Sequence, residues 1–411
     1  MKYRYSVRDY LHFAGMLRRN RNRQKIWAKH YETALRDKNY RIPHPAVFQL
    51  IPTEACNLNC PMCNQWGERG YFSRGVRPVE HMDLNGLTGL IKSISPRHSL
   101  FSVHGGEPFV YKHIDRLLEM LQEKRFDVFI STNGTLFNRG MDSLTRLENL
   151  ALLFSIDGDR ETHDNVRGEG RFDQAKEGLE ALFDARRRAG MPLPFVVMSI
   201  TVCEWTTGIL EKAFDVAREL GVMAINYNLR WFLPEDAGQA YEKHLQTHFD
   251  IKSLGAWRGF ISDPKDHDYK TAAAALKRIL GKTRFRIVPP FVVTMPRLRR
   301  KEFETYFSDY LEVFGNESCF LPFYLARVHS NGDMIYCPGH PDIIVGNVFR
   351  EGFEEALNSE MSIRFRKYIL HHRFPICNRC CGLYMTNYGR PYEQKIRRKL
   401  GLGKNVTVHY P

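Results

Sequence analysis

The stretch Phe48-Gln-Leu-Ile-Pro-Thr53-Glu-Ala-Cys56-Asn-Leu-Asn-Cys60-Pro-Met-Cys63 decides how the chain is read. It opens as an apolar, strand-like run over 48–53. Three cysteines then fall within eight residues, spaced C-x3-C-x2-C. Working outward, the runs 100–104, 128–132, 152–157, 195–202 and 223–229 have the same strand-like character. Stretches of helical period lie between them, at 83–94, 111–124, 140–149, 173–189 and 205–220. This repeated alternation predicts a parallel sheet with right-handed crossovers. Six units make a partial or full barrel, and in such barrels chemistry gathers at the C-terminal ends of the strands. The cysteines sit at that end of the first strand.

Three thiolates can hold three irons of a cubane and leave the fourth open to a small molecule. Zinc is the alternative, although closed zinc sites take four ligands. Other polar signals fall at the same end. His104-Gly105-Gly106-Glu107-Pro108 closes the second run, Ser131-Thr132-Asn133-Gly134 the third and Ser155-Ile156-Asp157-Gly158 the fourth, with Arg167 in the loop that follows. Each alone reads as a turn. Together with the cysteines they make a site.

The 411 residues are 43% hydrophobic, 12% aromatic and 26% charged, a globular mixture that excludes disordered and collagen-like chains. Their length suits two or three domains. No apolar run is long enough to predict a spanning helix. The charged start, Met1-Lys2-Tyr3-Arg4, lacks the apolar region of a signal peptide, which points to the cytosol. The net charge of +14 is concentrated at the ends. Residues 1–42 hold twelve Lys/Arg against three Asp/Glu, and 390–411 hold six against one. In a reducing compartment, nine cysteines in groups suit metal or redox chemistry better than disulfides. The second group is Cys319, Cys337, Cys377, Cys380 and Cys381, with a hairpin signal at Ser330-Asn331-Gly332-Asp333.

On these residues, over roughly 45–235, the chain resembles the radical S-adenosylmethionine (SAM) enzymes. The resemblance implies a [4Fe–4S] cluster on Cys56, Cys60 and Cys63, its open iron chelated by SAM. It implies that Gly105, Gly106, Glu107 and Pro108 form the motif that binds the SAM amine. Thr132 and Asn133 would face the cofactor. Ser155 and Arg167 resemble a pair that holds the SAM carboxylate and ribose in one subfamily. Met62 departs from the aromatic residue usual before the third cysteine; a thioether can still pack on a purine face. Cys319, Cys337, Cys377 and Cys380 resemble the short SPASM domain called Twitch, which carries one auxiliary [4Fe–4S] cluster. A closed zinc site is the alternative there, and Cys381 could serve as an alternate ligand.

The expected fold is therefore α/β: a partial (β/α)6 TIM-like barrel with a small C-terminal α+β Fe–S domain. A basic helical extension (1–44) precedes the core (45–235). A bridging segment (236–316), with a strand-like run at 285–288, leads to the auxiliary domain (317–389) and a basic tail (390–411). The implied reaction is reductive cleavage of SAM to a 5′-deoxyadenosyl radical that takes a substrate hydrogen atom. A low-potential donor such as flavodoxin or ferredoxin would supply the electron. Cys203, after the fifth strand, is expected at the barrel mouth as a hydrogen-atom donor, or else as a small buried apolar residue. The expected substrate is a small polar molecule, such as a saccharide, free or lipid-linked, oxidised or epimerised. Residues 1–44 are too few for the winged-helix domain that many peptide maturases carry. A ribosomally made peptide is the alternative, and a non-catalytic Fe–S electron-transfer protein a further one. The basic helix over 6–36 and Lys395, Arg397, Arg398 and Lys399 suit an anionic membrane surface better than nucleic acid. Solvated helix faces packed on the barrel are the plainer reading.

Overall fold

The computed structural model describes residues 4–262, 268–339, 341–384, 390–402 and 407–408. The last part of the basic tail lies outside these residues. Helix α1 (Val7–Arg36) is started by a capping box in which the Asp9 N–H donates to the Ser6 hydroxyl and the Ser6 N–H to the Asp9 carboxylate. The βα units follow as β1 (Val47–Leu50), α2 (Leu84–Ser93), β2 (Leu100–Val103), α3 (Ile114–Glu123), β3 (Val128–Thr132), α4 (Met141–Arg146) and β4 (Leu150–Ser155). They continue as α5 (Arg160–Arg167), α6 (Arg171–Arg188), β5 (Phe195–Val202), α7 (Leu210–Glu219), β6 (Ala224–Leu229), α8 (Glu235–Phe249), α9 (Tyr269–Thr283) and β7 (Phe291–Met295). Helix α3 shows why these segments fold as they do. It buries Ile114, Leu117, Leu118 and Leu121, an i, i+3, i+4, i+7 stripe facing the sheet.

The fold class is as expected, an open partial barrel, and the six expected strands are its β1 to β6. The sheet continues past them at both ends. On one side β7 pairs parallel to β6, so the 236–316 segment contributes a strand as well as a bridge. The strand-like run at 285–288 is not that strand. Phe285 and Ile287 are 84% and 89% exposed, and Pro289-Pro290 separates them from β7. On the other side β8 (Leu325–Val328) pairs parallel to β1, and β9 (Asp333–Ile335) and β10 (Gly346–Asn347) complete the sheet antiparallel. The hairpin signal at Ser330–Asp333 is the β8–β9 turn. The auxiliary region is thus grafted onto the barrel sheet, and one hydrophobic core runs from Trp27 and Phe48 through Ile200 to Phe365 and Phe374. Arg167 differs from expectation too. It ends α5 rather than lying in a loop, and the helix is capped by Asp159 accepting from Thr162 N–H.

The basic N-terminal helix is a strap across the N-terminal ends of the strands. Arg19 and Arg23 both pair with the buried carboxylate of Asp127, just before β3, at 2.6 Å. Arg19 also donates to Asn149 before β4, and Asp9 accepts from Leu193 N–H before β5. Trp27 donates to the Phe323 carbonyl at 2.7 Å, tying the strap to the auxiliary region. Part of the N-terminal charge is therefore structural, as the plainer reading expected. No helix among the described residues is long and apolar enough to cross a membrane.

Candidate active site at the C-terminal ends of the strands

A cavity of about 330 Å³ opens at the C-terminal ends of β1 to β6. Cys56, Cys60, Met62 and Cys63 line it from the loop after β1. Gly106 and Glu107 line it after β2, Thr132 and Asn133 after β3, and Ser155 and Arg167 after β4. Gly105 and Pro108 do not reach it. Their part is to shape the loop. Gly106 N–H donates to Thr53 O and Glu107 N–H to Ala55 O, and a Cβ at Gly105 or Gly106 would run into the carbonyls of Thr53, Glu54 or Ala55. The glycines thus let the second strand end press against the segment that feeds Cys56.

Glu107 is buried and its carboxylate braces the neighbouring strand end. It accepts from the Thr132 hydroxyl at 2.7 Å and from Asn133 N–H at 2.8 Å. Burial pushes its carboxyl up to about 7, although these donors favour the charged form. The Asn133 side chain donates to Asn57 Oδ1, which locks strand three to the cysteine loop. Glu107 and Asn133 are thus occupied with each other and with the loop. Both also line the cavity, where they were expected, and their mutual hydrogen bonds brace the strand ends around Gly106.

Arg167 has the opposite character. Its Nε donates to Asp157 Oδ2 at 2.6 Å, and Asp157, fully buried, also accepts from Thr201 N–H at 3.1 Å. Burial opposes the guanidinium charge, but Asp157 and the nearby Cys60 outweigh it and hold the group protonated. Its terminal nitrogens face the cavity, suited to a carboxylate. Burial pushes the Cys56 thiol up to about 12 and raises Cys60 too, with Arg167 opposing the rise at Cys60. Such thiols stay protonated unless a metal takes the proton's place. Leu58 N–H donates to Cys56 Sγ and Trp66 N–H to Cys63 Sγ, each at 3.4 Å, orienting both sulfurs.

Cys203 is not in this cavity. It lines a separate space of about 20 Å³, with its Sγ 3.5 Å from the Thr201 carbonyl and its thiol pushed up to about 12 by burial. This placement, buried and outside the main cavity, is not the barrel-mouth position expected of a hydrogen-atom donor. Its side chain turns away because Thr206 caps the strand end, accepting from Cys203 N–H. Sequence reasoning missed Thr201, Asn228, Arg230, Trp231 and Phe260, which complete the cavity wall. Thr201 and Asn228 were legible as polar residues near the ends of apolar strands. Trp231 and Phe260, stacked at 5.4 Å, carried no signal because a remote turn brings them together.

The second cysteine set comes together from Cys319, Cys337 and the Cys377/Cys380 pair. Burial and mutual repulsion raise Cys337 well above the usual thiol range, with Cys377, Cys380 and Cys319 as its charged neighbours. Cys380 runs the other way, its thiolate favoured by a hydrogen bond from Cys381 and by Gly382 N–H at 3.3 Å. Four converging thiols of this kind fit a cluster that shares out their charge. Among the described residues no three His, Cys, Asp or Glu gather tightly enough for a single ion. Arg327 on β8 joins the two regions. It donates to Gln49 on β1 at 2.6 Å and to the Pro338 carbonyl at 2.7 Å. Glu54, two residues before Cys56, accepts from Ser330 and pairs with His329 at 3.1 Å.

Residues 50–204 match the radical SAM superfamily, and 319–381 match the SPASM iron–sulfur cluster-binding domain. The chain is a radical SAM enzyme with a SPASM domain, and these domains imply a [4Fe–4S] cluster with SAM and auxiliary iron–sulfur binding. It is 22% identical to the antilisterial bacteriocin subtilosin biosynthesis protein AlbA of Bacillus subtilis, over 94% of this chain and 78% of that one. It is 36% identical to Fe-coproporphyrin III synthase of Methanosarcina barkeri, but the match spans only 31% of either chain. Streptococcus suis SuiB, solved with SAM and also with its precursor peptide SuiA, shares the fold: TM-score 0.58 at 14% identity, over 87% of this chain and 74% of SuiB in the SAM-bound form.

Proposed function

We propose that this chain modifies a ribosomally made peptide by radical SAM chemistry. The observation that carries the reading is the AlbA likeness, which runs through both iron–sulfur regions and 94% of the chain. The likenesses to AlbA and SuiB support the peptide alternative more than the small-molecule reading.

In this assignment Cys56, Cys60 and Cys63 hold the SAM-binding cluster, and Cys319, Cys337, Cys377 and Cys380 an auxiliary one. When bound, the first cluster and SAM supply a one-electron cleavage that yields a 5′-deoxyadenosyl radical. The chain's own residues do the positioning. Arg167, held by Asp157, would take the SAM carboxylate, with Ser155 beside it. Gly106 would offer backbone to the SAM amine, and Met62 would pack on the adenine. Glu107, Thr132 and Asn133 keep these strand ends in register. Trp231 and Phe260 close one wall against water, which protects a reactive radical from side reactions. Electrons come from a flavodoxin- or ferredoxin-type donor.

The test is anaerobic incubation of reconstituted protein with dithionite, SAM and peptides encoded beside its gene. Release of 5′-deoxyadenosine together with a changed peptide mass is expected. Release that responds to saccharides and never to peptides would return the small-molecule reading. A protein that never cleaves SAM would sink both.

A further inference from the structure

We propose that the open edge of β7 docks an extended, acidic segment of the substrate by strand addition, which rests on the peptide reading above. The two edges of the sheet are built differently. At one end, β10 is two residues long, and Gly346 lies so close to Ala356 of the helix Phe353–Leu357 that a Cβ would clash. That edge is covered. At the other end, β7 pairs only with β6 among the described residues. Phe291 N–H donates to Met223 O. Since backbone groups alternate along a strand, Val292 and Thr294 turn their N–H and C=O groups away from β6; Val292 is half-buried, while Thr294, 8% exposed, is buried, so the accessible part of the edge is at Val292. Phe291 and Val293 are 36% and 45% exposed, and Phe285, Ile287 and Val288 continue the apolar surface before the strand.

Charge selects the occupant. From Lys282 to Lys301 the chain carries seven Lys/Arg and no Asp/Glu. The strand itself carries none of these cations; they flank it. Arg284, Arg297, Arg300 and Lys301 are exposed and have no carboxylate partner among the described residues. A second copy of this edge would meet its own charge. An anionic lipid surface would meet the cations but would leave the outward backbone groups unpaired. An extended acidic chain with apolar residues at alternate positions satisfies cations, side chains and backbone together. The edge also leads to the cavity. Met295 is the register partner of Asn228, which lines the cavity wall. At about 4.8 Å per strand, an added strand would run about 10 Å from Asn228.

The experiment uses the full reconstituted chain and a fluorescent synthetic dodecapeptide of alternating Val and Glu, with a Val/Lys twin. Anisotropy should show binding of the Glu peptide at least about tenfold tighter than the Lys twin at low salt, weakening as salt is added. Val292→Pro removes one outward N–H at a place where an edge strand tolerates proline, and should weaken binding about tenfold. Iron content and melting temperature serve as folding controls. Should that variant misfold, the Arg297→Glu/Arg300→Glu protein, which leaves the strand intact, must also lose the Glu peptide. Equal binding to wild type and the charge-reversed protein overturns the proposal. So does binding only to phosphatidylglycerol vesicles, or a dimer that the Glu peptide does not dissociate. A substrate peptide modified with the same KM by wild type and folded Val292→Pro overturns the docking and leaves the peptide reading standing. Tight, edge-dependent Glu-peptide binding in a protein that modifies no peptide supports the docking while failing that reading.

Discussion

The two cysteine groups make opposite use of the same chemistry. The first lies in one loop after β1 and faces a cavity, with polar strand ends on three sides. The second is gathered from Cys319, Cys337 and the Cys377/Cys380 pair, with Cys337 and Cys377 raised by burial and neighbouring thiols and Cys380 lowered. Three ligands at a cavity leave room for a reactant, whereas a fourth thiolate would fill the last position. Ligand number and the adjoining cavity, more than exposure, separate the two sets, since Cys56, Cys60 and Cys63 are half-buried and so are Cys319, Cys337 and Cys377.

The sharpest way to break this comparison is to delete the cavity ligands. Cys56→Ala/Cys60→Ala/Cys63→Ala should reduce iron from about eight to about four per chain and abolish 5′-deoxyadenosine release, read by iron assay and chromatography. The mirror experiment is Cys337→Ala. It should lose a similar share of iron yet cleave SAM within about threefold of wild type, while the peptide product disappears. Equal loss of SAM cleavage in both proteins would erase the division. Arg167→Lys keeps the charge but not the fork and should raise the KM for SAM about tenfold.

Glu107 sharpens the comparison through pH. Its carboxyl is pushed from the ordinary 4.5 up to about 7 by burial. Between those values the folded protein keeps a proton that the unfolded chain has released. The group's contribution to stability is therefore greatest at the acid end, falls as pH rises towards about 7 and is constant above. The melting temperature of wild type should fall relative to Glu107→Gln between about pH 5 and pH 7, and run parallel to it above. The smallest effect is expected at Cys203→Ala, with product and turnover unchanged, because its sulfur faces a different space. A rerouted product in that variant would restore the donor role.

The cavity was largely legible because each contributing residue lies within a few positions of a strand end, and parallel strands all end on one side. The bracing by Glu107 was not, since only packing reveals that Thr132 and Asn133 donate to its carboxylate. Nor could the sequence show Arg19 and Arg23 as a strap, because their partner, Asp127, carries no pattern of its own. Strand β7, Phe-Val-Val-Thr-Met, is as apolar as the start of β5 but is hemmed in by Pro289-Pro290 and Pro296, which read as breakers and left the neighbouring 285–288 run as the apparent strand. The pairing of β8 with β1 was the least accessible. Gln49 and Arg327, which meet across it, are 278 positions apart.

That separation bears on how the protein is made. Until β8 arrives, β1 is an unpaired edge, and the loop that carries Cys56, Cys60 and Cys63 hangs from it. At bacterial-like synthesis rates the wait is on the order of tens of seconds. Throughout it an apolar strand is open to wrong partners. A truncated chain ending before β8 would never leave that state. Shortened versions meant to isolate the catalytic half should therefore collect in inclusion bodies, and metal loading should follow completion of the whole polypeptide.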